Sequence, residues 1–372
     1  MGRGVLFAAG GRGGHILPAL SVADELRSMI PNLEPLFVGT RSGLEAKLIP
    51  QAGYPITFIS SKGVRGRGLP ARALGAARVG AGFFQALGII SRFRPDIVFG
   101  AGGYASAAAV LAASFLRKTI VLQEQNSIPG LTNRMLARFA RRVYLGFEKA
   151  GEWFGSHRGL VVTGNPLRGE VVSAAGIDAR GKFHLSEGSP VLLVFGGSQG
   201  ARTLSRAAVD YLGGREDVQA IIQTGERDYP WVAERVAALG GRVFAAPYLE
   251  AMHLAYAASD VALARSGALS VSELAAVGLP AILVPYPFAA DDHQRHNAAL
   301  LADAGGAVVV ADAELTGERL ASVLDPLLAD RSRLAAMRRA LALVARRDAA
   351  RAIAADMISL VPRGARAGGG QS

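Results

Sequence analysis

The chain has no cysteine, so disulfides, thiolate-bound zinc, cysteine-ligated iron–sulfur clusters and a cysteine nucleophile are excluded, and a reducing compartment fits. No run reaches about 18 uninterrupted apolar residues, and the N-terminal apolar stretch is too short before its first glycines to serve as a signal-peptide core. These absences predict a protein that stays in the cytoplasm. The aromatic-rich signature of RNA-binding modules is missing, as are zinc-finger spacings and heptads behind a basic region, so no nucleic-acid partner is expected. No glycine run carries the Walker lysine, which argues against nucleoside triphosphate hydrolysis.

What is present is glycine, arginine and short apolar runs. Of 372 residues, 46 are glycine, half are hydrophobic and 19% are charged, the composition of a folded chain. That length exceeds what one core usually organises, so two domains are expected. The formal net charge of +11 would by itself suit nucleic acid, an anionic membrane or an acidic small substrate. Arginine placement and motifs must decide among them.

"VLFAAGGRGG" (Val5 to Gly14) and "VLLVFGGSQG" (Val191 to Gly200) align without a gap, four apolar residues and then glycines at matching places. Each reads as a buried strand, a glycine turn and a helix, the first helix running from about Ile16 to Met29. Strands are also expected at Pro35–Val38, Asp96–Phe99, Thr119–Asn126, Arg142–Phe147 and Gly159–Pro166. In the second half they are expected near Val218–Gly225, Gly241–Leu249, Asp260–Ala264, Pro280–Phe288 and Ala307–Asp312. Strands alternating with helices imply parallel sheets with right-handed crossovers. The fold class is therefore α/β, with two Rossmann-like doubly wound domains facing each other across a cleft. The boundaries are residues 1–165 and 166–342, a C-terminal helix at about 343–361 that can pack back on the first domain, and a disordered tail at 362–372. Arg331 to Leu360 reads as a long alanine- and arginine-rich helical stretch.

A glycine turn between strand and helix presents bare N–H groups at a helix N-terminus, where a phosphate can bind. Tight turns needed only for helix–sheet packing are the alternative. "RSGALSVSELAAVGLP" places Arg265, Ser266 and backbone donors beyond a strand, with Glu273 about two turns into the following helix. Such a set suits a nucleoside diphosphate, whose ribose hydroxyls a carboxylate can accept. A solvated helix residue is the alternative for Glu273.

Seven motifs, "GGRGGHILPAL", "GAGGYAS", "EQNSIPGLTNR", "TGNPLR", "GGSQGAR", "RSGALSVSELAAVGLPAILVPYP" and "DDHQRHNA", follow one another between about residues 4 and 310. In this order they closely resemble the peptidoglycan N-acetylglucosaminyltransferases of the inverting GT-B class, glycosyltransferase family 28. The resemblance implies transfer of N-acetylglucosamine from UDP-GlcNAc to the 4-hydroxyl of the muramoyl sugar of lipid I, forming lipid II. It implies a peripheral enzyme on the cytoplasmic face of the plasma membrane, with other cell-wall synthesis proteins as partners. The first domain would take the lipid acceptor and the second the sugar nucleotide.

Carried over by motif, Glu273 would bind the ribose hydroxyls, Leu249 would offer backbone to uracil, and Arg168 would lie near the base. Ser198 and Gln199 would meet the diphosphate; Gln294, Asp292 and Asn297 would hold the GlcNAc hydroxyls; Arg265, Ser266 and Ala268 would line the same pocket. Gly13, Gly14, His15, Tyr104, Glu124 and Asn126 become the acceptor constellation. The family often has histidine where this chain has Gln123, so a role for that histidine does not carry over. Inversion needs one displacement with a base to take the acceptor proton. His15, whose residue type titrates near neutrality, and Glu124, whose pKa burial could raise, are the candidates. No Asp-x-Asp sequence occurs, and the expectation is a reaction without metal or other cofactor, helix N-termini receiving the diphosphate charge.

Val64 to Arg94 carries six arginines around Leu69, Leu74, Val79, Phe83, Phe84, Leu87 and Ile90, a pattern able to lie on an anionic membrane surface. Packing of Phe83 to Ile90 into the core is the alternative. Two other functional readings remain open: a GT-B relative with another acceptor or with epimerase chemistry, and a nucleotide-binding module without turnover.

Overall fold

A computed structural model describes residues 4–11, 13–61, 69–174, 176–197 and 200–361, with 69–79 described by backbone alone. The chain divides into two compact units, Met1–Arg168 together with Arg347–Ser372, and Gly169–Arg346.

In the first unit the strands are β1 (Gly4–Ala8), β2 (Glu34–Gly39), β3 (Ile56–Phe58), β4 (Ile97–Gly100), β5 (Thr119–Glu124), β6 (Arg142–Leu145) and β7 (Leu160–Val162). Helices α1 (Gly13–Met29), α2 (Glu45–Gln51), α3 (Leu69–Phe93), α4 (Gly103–Phe115) and α5 (Leu131–Leu136) alternate with them. The sheet order is β3-β2-β1-β4-β5-β6-β7, and each neighbouring pair is parallel, with Leu6 of β1 opposite Leu36 and Val98. Both faces of β1 are covered. Val5 and Phe7 join one core and Leu6 and Ala8 the other, which is why the strand reads as an unbroken apolar run.

The second unit has β8 (Val191–Phe195), β9 (Gln219–Gln223), β10 (Val243–Ala246), β11 (Val261–Ala264), β12 (Ala281–Leu283) and β13 (Ala307–Val309). Its helices are α6 (Gly169–Val172), α7 (Arg202–Gly213), α8 (Tyr229–Ala237), α9 (Met252–Ala258), α10 (Ala268–Val277), α11 (His293–Asp303), α12 (Gly317–Ala329) and α13 (Arg331–Val344). Its sheet order, β10-β9-β8-β11-β12-β13, repeats that of the first unit. Each sheet therefore reverses its winding beside its first strand, between β1 and β4 and between β8 and β11. Ligands of doubly wound sheets bind at such switch points, beyond the carboxyl ends of the strands.

Three elements differ from those expected. The edge strand β3 was not expected; its three residues are half-buried and carry no long apolar run. The first helix opens at Gly13, so His15 lies inside its first turn. The stretch from Arg331 to Leu360 is two helices, because Ala345 turns extended (φ −66°, ψ 135°) after α13. The second, α14 (Ala349–Leu360), packs Ile353, Ala354 and Met357 into the core that holds Phe7 and Leu26, whereas α13 buries Leu334 and Met337 in the other unit. Asp356 of α14 accepts from Tyr144 Oη at 2.8 Å and Arg142 Nε at 3.1 Å. Two helices serving different cores need the break.

Candidate active site

At the first switch point the turns after β1 and β4 press together, and glycine is what lets them. Gly102 and Gly103 have φ of +99° and +83°. A Cβ on Gly103 would come within 2.6 Å of the Gly10 carbonyl, and one on Gly102 within 3.0 Å of the His15 ring. Half-buried Gly13 and exposed Gly14 open α1 beside His15, while exposed Tyr104 follows Gly103 in α4, its carbonyl accepting from Ser61 Oγ at 2.9 Å. The structure thus brings Gly13, Gly14, His15 and Tyr104 to the two turns of one crevice.

His15 Nδ1 lies 3.0 Å from Gln125 Oε1. Gln125 Nε2 donates to the Ala101 carbonyl at 2.9 Å and to Gln123 Oε1, so its oxygen faces the imidazole. That arrangement makes Nδ1 the protonated nitrogen and puts the ring's lone pair on Nε2.

Glu124 is buried and accepts four hydrogen bonds, from Asn126 N (2.9 Å), Asn126 Nδ2 (3.4 Å), Gly130 N (3.1 Å) and Asn133 Nδ2 (2.8 Å). Burial pushes its carboxyl above the usual glutamate range, against the downward pull of those donors. Every partner named donates, so the carboxylate acts as a clamp on the 126–133 loop, with half-buried Asn126 held by it.

Sequence reasoning missed Glu45. It is fully buried and accepts from Gly11 N at 2.9 Å and from Thr40 N and Oγ1 at 2.8 Å each. The first glycine turn therefore gives its Gly11 amide to an internal carboxylate. A readable signal existed in "GTRSGLE": a Cβ on Gly39 or Gly43 would overlap the Glu45 side chain.

At the second switch point the turns after β8 and β11 stand side by side. Ser198 and Gln199 lie outside the described residues. Gly197 and Gly200 have φ of +85° and +72°, and the Gly197 carbonyl accepts from Gln223 Nε2 at 2.9 Å. The same Gln223 accepts through Oε1 from the Leu249 amide at 3.0 Å, tying the glycine turn to the loop after β10. Because that amide is taken, a base would have to meet Leu249 through its carbonyl. Gln223, like Glu45, lies in no motif that marks it.

Beyond β11, Glu273 is buried and accepts from Tyr256 Oη at 2.8 Å, so it is not a solvated helix residue. Buried Ala268 opens α10 one turn earlier. Ser266 Oγ donates to the Gln294 carbonyl at 2.8 Å, Asn297 Nδ2 to the Ser266 carbonyl at 3.2 Å, and Tyr286 N to Gln294 Oε1 at 2.9 Å. Ser266, Gln294 and Asn297 thus form one cluster. Asp292 is exposed at the start of α11, and it and Asp291 both take φ of +51°, strain that clusters at functional loops. Arg265 is buried, paired to Asp312 at 2.6 Å and bonded to the Val284 carbonyl at 3.1 Å, which makes it a brace of the pocket wall. Arg168 closes the first unit.

The arginine-rich stretch expected to meet a membrane divides. Val64 to Gly68 fall outside the described residues. Within α3, Ile90 is buried and Phe83 half-buried, while Phe84 is 71% exposed; Phe115 of α4, 72% exposed, meets the Phe83 ring edge-on at 6.3 Å. Among the described residues no helix is long and apolar enough to cross a membrane.

Comparison with known proteins matches residues 5–145 to the glycosyltransferase family 28 N-terminal domain and 191–353 to the glycosyltransferase family 28 C-terminal domain. The UDP-N-acetylglucosamine--N-acetylmuramyl-(pentapeptide) pyrophosphoryl-undecaprenol N-acetylglucosamine transferase of Methylococcus capsulatus is 43% identical over 95% of this chain and 98% of its own length. The crystal structure of Acinetobacter baumannii MurG is 28% identical with a TM-score of 0.75, over 96% of this chain and 99% of that one. A putative UDP-N-acetylglucosamine 2-epimerase from Listeria monocytogenes shares the fold at a TM-score of 0.71 and 16% identity, over 96% of each chain.

Proposed function

We infer that this chain, which belongs to glycosyltransferase family 28, moves N-acetylglucosamine from UDP-GlcNAc to the 4-hydroxyl of the N-acetylmuramyl-pentapeptide of pyrophosphoryl-undecaprenol. The product is lipid II of peptidoglycan synthesis. The observation that carries the reading is a pair of family-matched α/β units, each with a polar site built at its own switch point.

The first unit takes the acceptor. Its hydroxyl attacks the anomeric carbon as the bond from that carbon to the UDP oxygen breaks; the electron pair leaves with UDP, and the hydroxyl proton passes to His15 Nε2. His15 is the better base, since Gln125 Oε1 at Nδ1 leaves the ring's lone pair on Nε2, whereas Glu124 spends both oxygens on loop donors. The second unit holds the donor: Glu273 accepts from the ribose hydroxyls, Leu249 meets uracil, and Gln294, Asn297 and Asp292 meet the sugar. Ser198, Gln199 and the N-terminus of α7 receive the diphosphate charge, with no metal called for. Arg265 and Ala268 shape the pocket of the second unit.

We further infer a peripheral seat on the anionic cytoplasmic membrane surface. Exposed Phe84 of α3 and exposed Phe115 of α4 both meet the Phe83 ring edge-on, and exposed Arg92 follows Phe84 two turns later on α3, which supplies apolar rings and a basic side chain for an anionic surface.

Incubation with UDP-GlcNAc and a lipid I analogue tests the reaction. The lipid product gains one N-acetylhexosamine by mass as one UDP appears; UDP release without acceptor would favour hydrolysis or epimerase chemistry instead.

A further inference from the structure

We propose that Gln125 is the positioning residue that keeps His15 in the tautomer a base requires, and that Gln123 and Asn165 lock Gln125 in that duty. The inference rests on His15 being the proton acceptor.

An amide can present either end to an imidazole, and here its neighbours choose. The Ala101 carbonyl can only accept, so the Gln125 nitrogen, 2.9 Å away, must face it. Turning the amide over would set two oxygens against each other there and two more at Gln123 Oε1, the other acceptor of Gln125 Nε2. Gln123 is itself fixed, since its Nε2 donates to Asn165 Oδ1 at 3.0 Å. Asn165 closes the circuit by donating from Nδ2 to the Gln125 carbonyl at 3.0 Å. All three amides are buried, at 0%, 2% and 1% exposure for Gln123, Gln125 and Asn165. In such a site an unmade hydrogen bond is costly, so the network holds one orientation. At the imidazole it presents Gln125 Oε1, directed at His15 Nδ1.

The consequence is chemical. With the proton fixed on Nδ1, the lone pair sits on Nε2, and the imidazolium formed on proton transfer keeps a neutral acceptor at Nδ1–H. Glutamine supplies direction without the charge that a carboxylate would bring. Gln123, as an amide, orients its neighbour without competing for the proton. Three ionisable groups on the described elements around His15 are engaged elsewhere or exposed. Glu45 bonds Gly11 and Thr40, Glu124 bonds the 126–133 loop, and Tyr104 is exposed.

The test uses the full-length enzyme with UDP-GlcNAc and a lipid I analogue, and compares Gln125→Glu, Gln125→Leu and His15→Ala across pH 5.5 to 9. Donor Kd, read in the other unit, and thermal unfolding serve as folding controls. Gln125→Leu lowers kcat about tenfold or more at unchanged donor Kd. Gln125→Glu keeps an oxygen at His15 Nδ1 but sets its second oxygen against the Ala101 carbonyl and Gln123 Oε1, so it folds less stably than the parent and regains only part of that turnover at high pH. Its new carboxylate favours the imidazolium, so the acid limb of kcat/KM moves up by about one pH unit. An unmoved acid limb in Gln125→Glu, with His15→Ala inactive, overturns the positioning role and leaves His15 as base. Wild-type turnover in His15→Ala overturns the base assignment itself. Should Gln125→Leu fail to fold, the Gln125→Glu profile decides alone.

Discussion

Removing the Glu45 carboxylate should unfasten the first glycine turn. Glu45→Ala removes a fully buried carboxylate and takes the partner from two backbone amides, of exposed Gly11 and half-buried Thr40, and from the Thr40 hydroxyl. The hydroxyl can rotate to another acceptor; the amides cannot. At about 1–3 kcal/mol for each orphaned donor, and with water entering the vacated space, the loss comes to about 2–4 kcal/mol. That is a large share of the roughly 5–15 kcal/mol by which a domain is stable. The two tryptophans fall one to each unit, Trp153 in the first and Trp231 in the second, so fluorescence in Trp153→Phe and Trp231→Phe backgrounds follows each unit through urea unfolding. With m of about 1–3 kcal/mol per molar, the transition reported by Trp153 should fall by about 1–2 M urea. The one reported by Trp231 should stay. A Trp153 midpoint that moves by less than about 0.3 M would refute the clamp.

Gln223→Leu cuts the tie between the Gly197 turn and the Leu249 loop; UDP-GlcNAc affinity by calorimetry should drop about tenfold with acceptor KM unchanged. Because burial raises the Glu124 carboxyl, the folded state holds that proton more tightly than the unfolded one. Its stabilising contribution is therefore fullest below about pH 4.3 and lost as pH rises through the raised value. Urea unfolding of the Trp153-reported unit should show the cost of Glu124→Gln shrinking between pH 4.5 and 7.5; a cost that grows would mean the four donors outweigh desolvation. Phe84→Ser with Phe115→Ser should weaken co-sedimentation with phosphatidylglycerol vesicles several-fold while leaving donor affinity intact, and unchanged binding would move the membrane surface elsewhere.

Much of the fold was legible because a strand buried on both faces shows as an apolar run, and glycine turns mark its carboxyl end. Phe7 and Val194 announce their strands for that reason. The edge strand β3 did not, since half-buried residues need no apolar run, and the break at Ala345 did not, since alanine and arginine favour helix on both sides of it. Motif position brought out residues whose carbonyls, hydroxyls or rings line a turn, such as His15 and Ser266. It passed over Glu45, Gln125 and Gln223, because each acts by holding a backbone group or a ring from another element. Arg265 illustrates the reverse. Its type suggested a ligand cation, and the fold employs it against Asp312 and two backbone carbonyls.

The central claim is a division of labour, acceptor chemistry at the β1/β4 switch point and donor binding at the β8/β11 one. The most direct test measures turnover and UDP-GlcNAc Kd side by side for His15→Ala and Glu273→Ala. His15→Ala should lose about a hundredfold or more in kcat with Kd unchanged. Glu273→Ala, deprived of a carboxylate's hydrogen bonds, should raise Kd about ten- to a hundredfold. A His15→Ala enzyme that turns over normally, or a Glu273→Ala enzyme that binds donor as tightly as before, would contradict it.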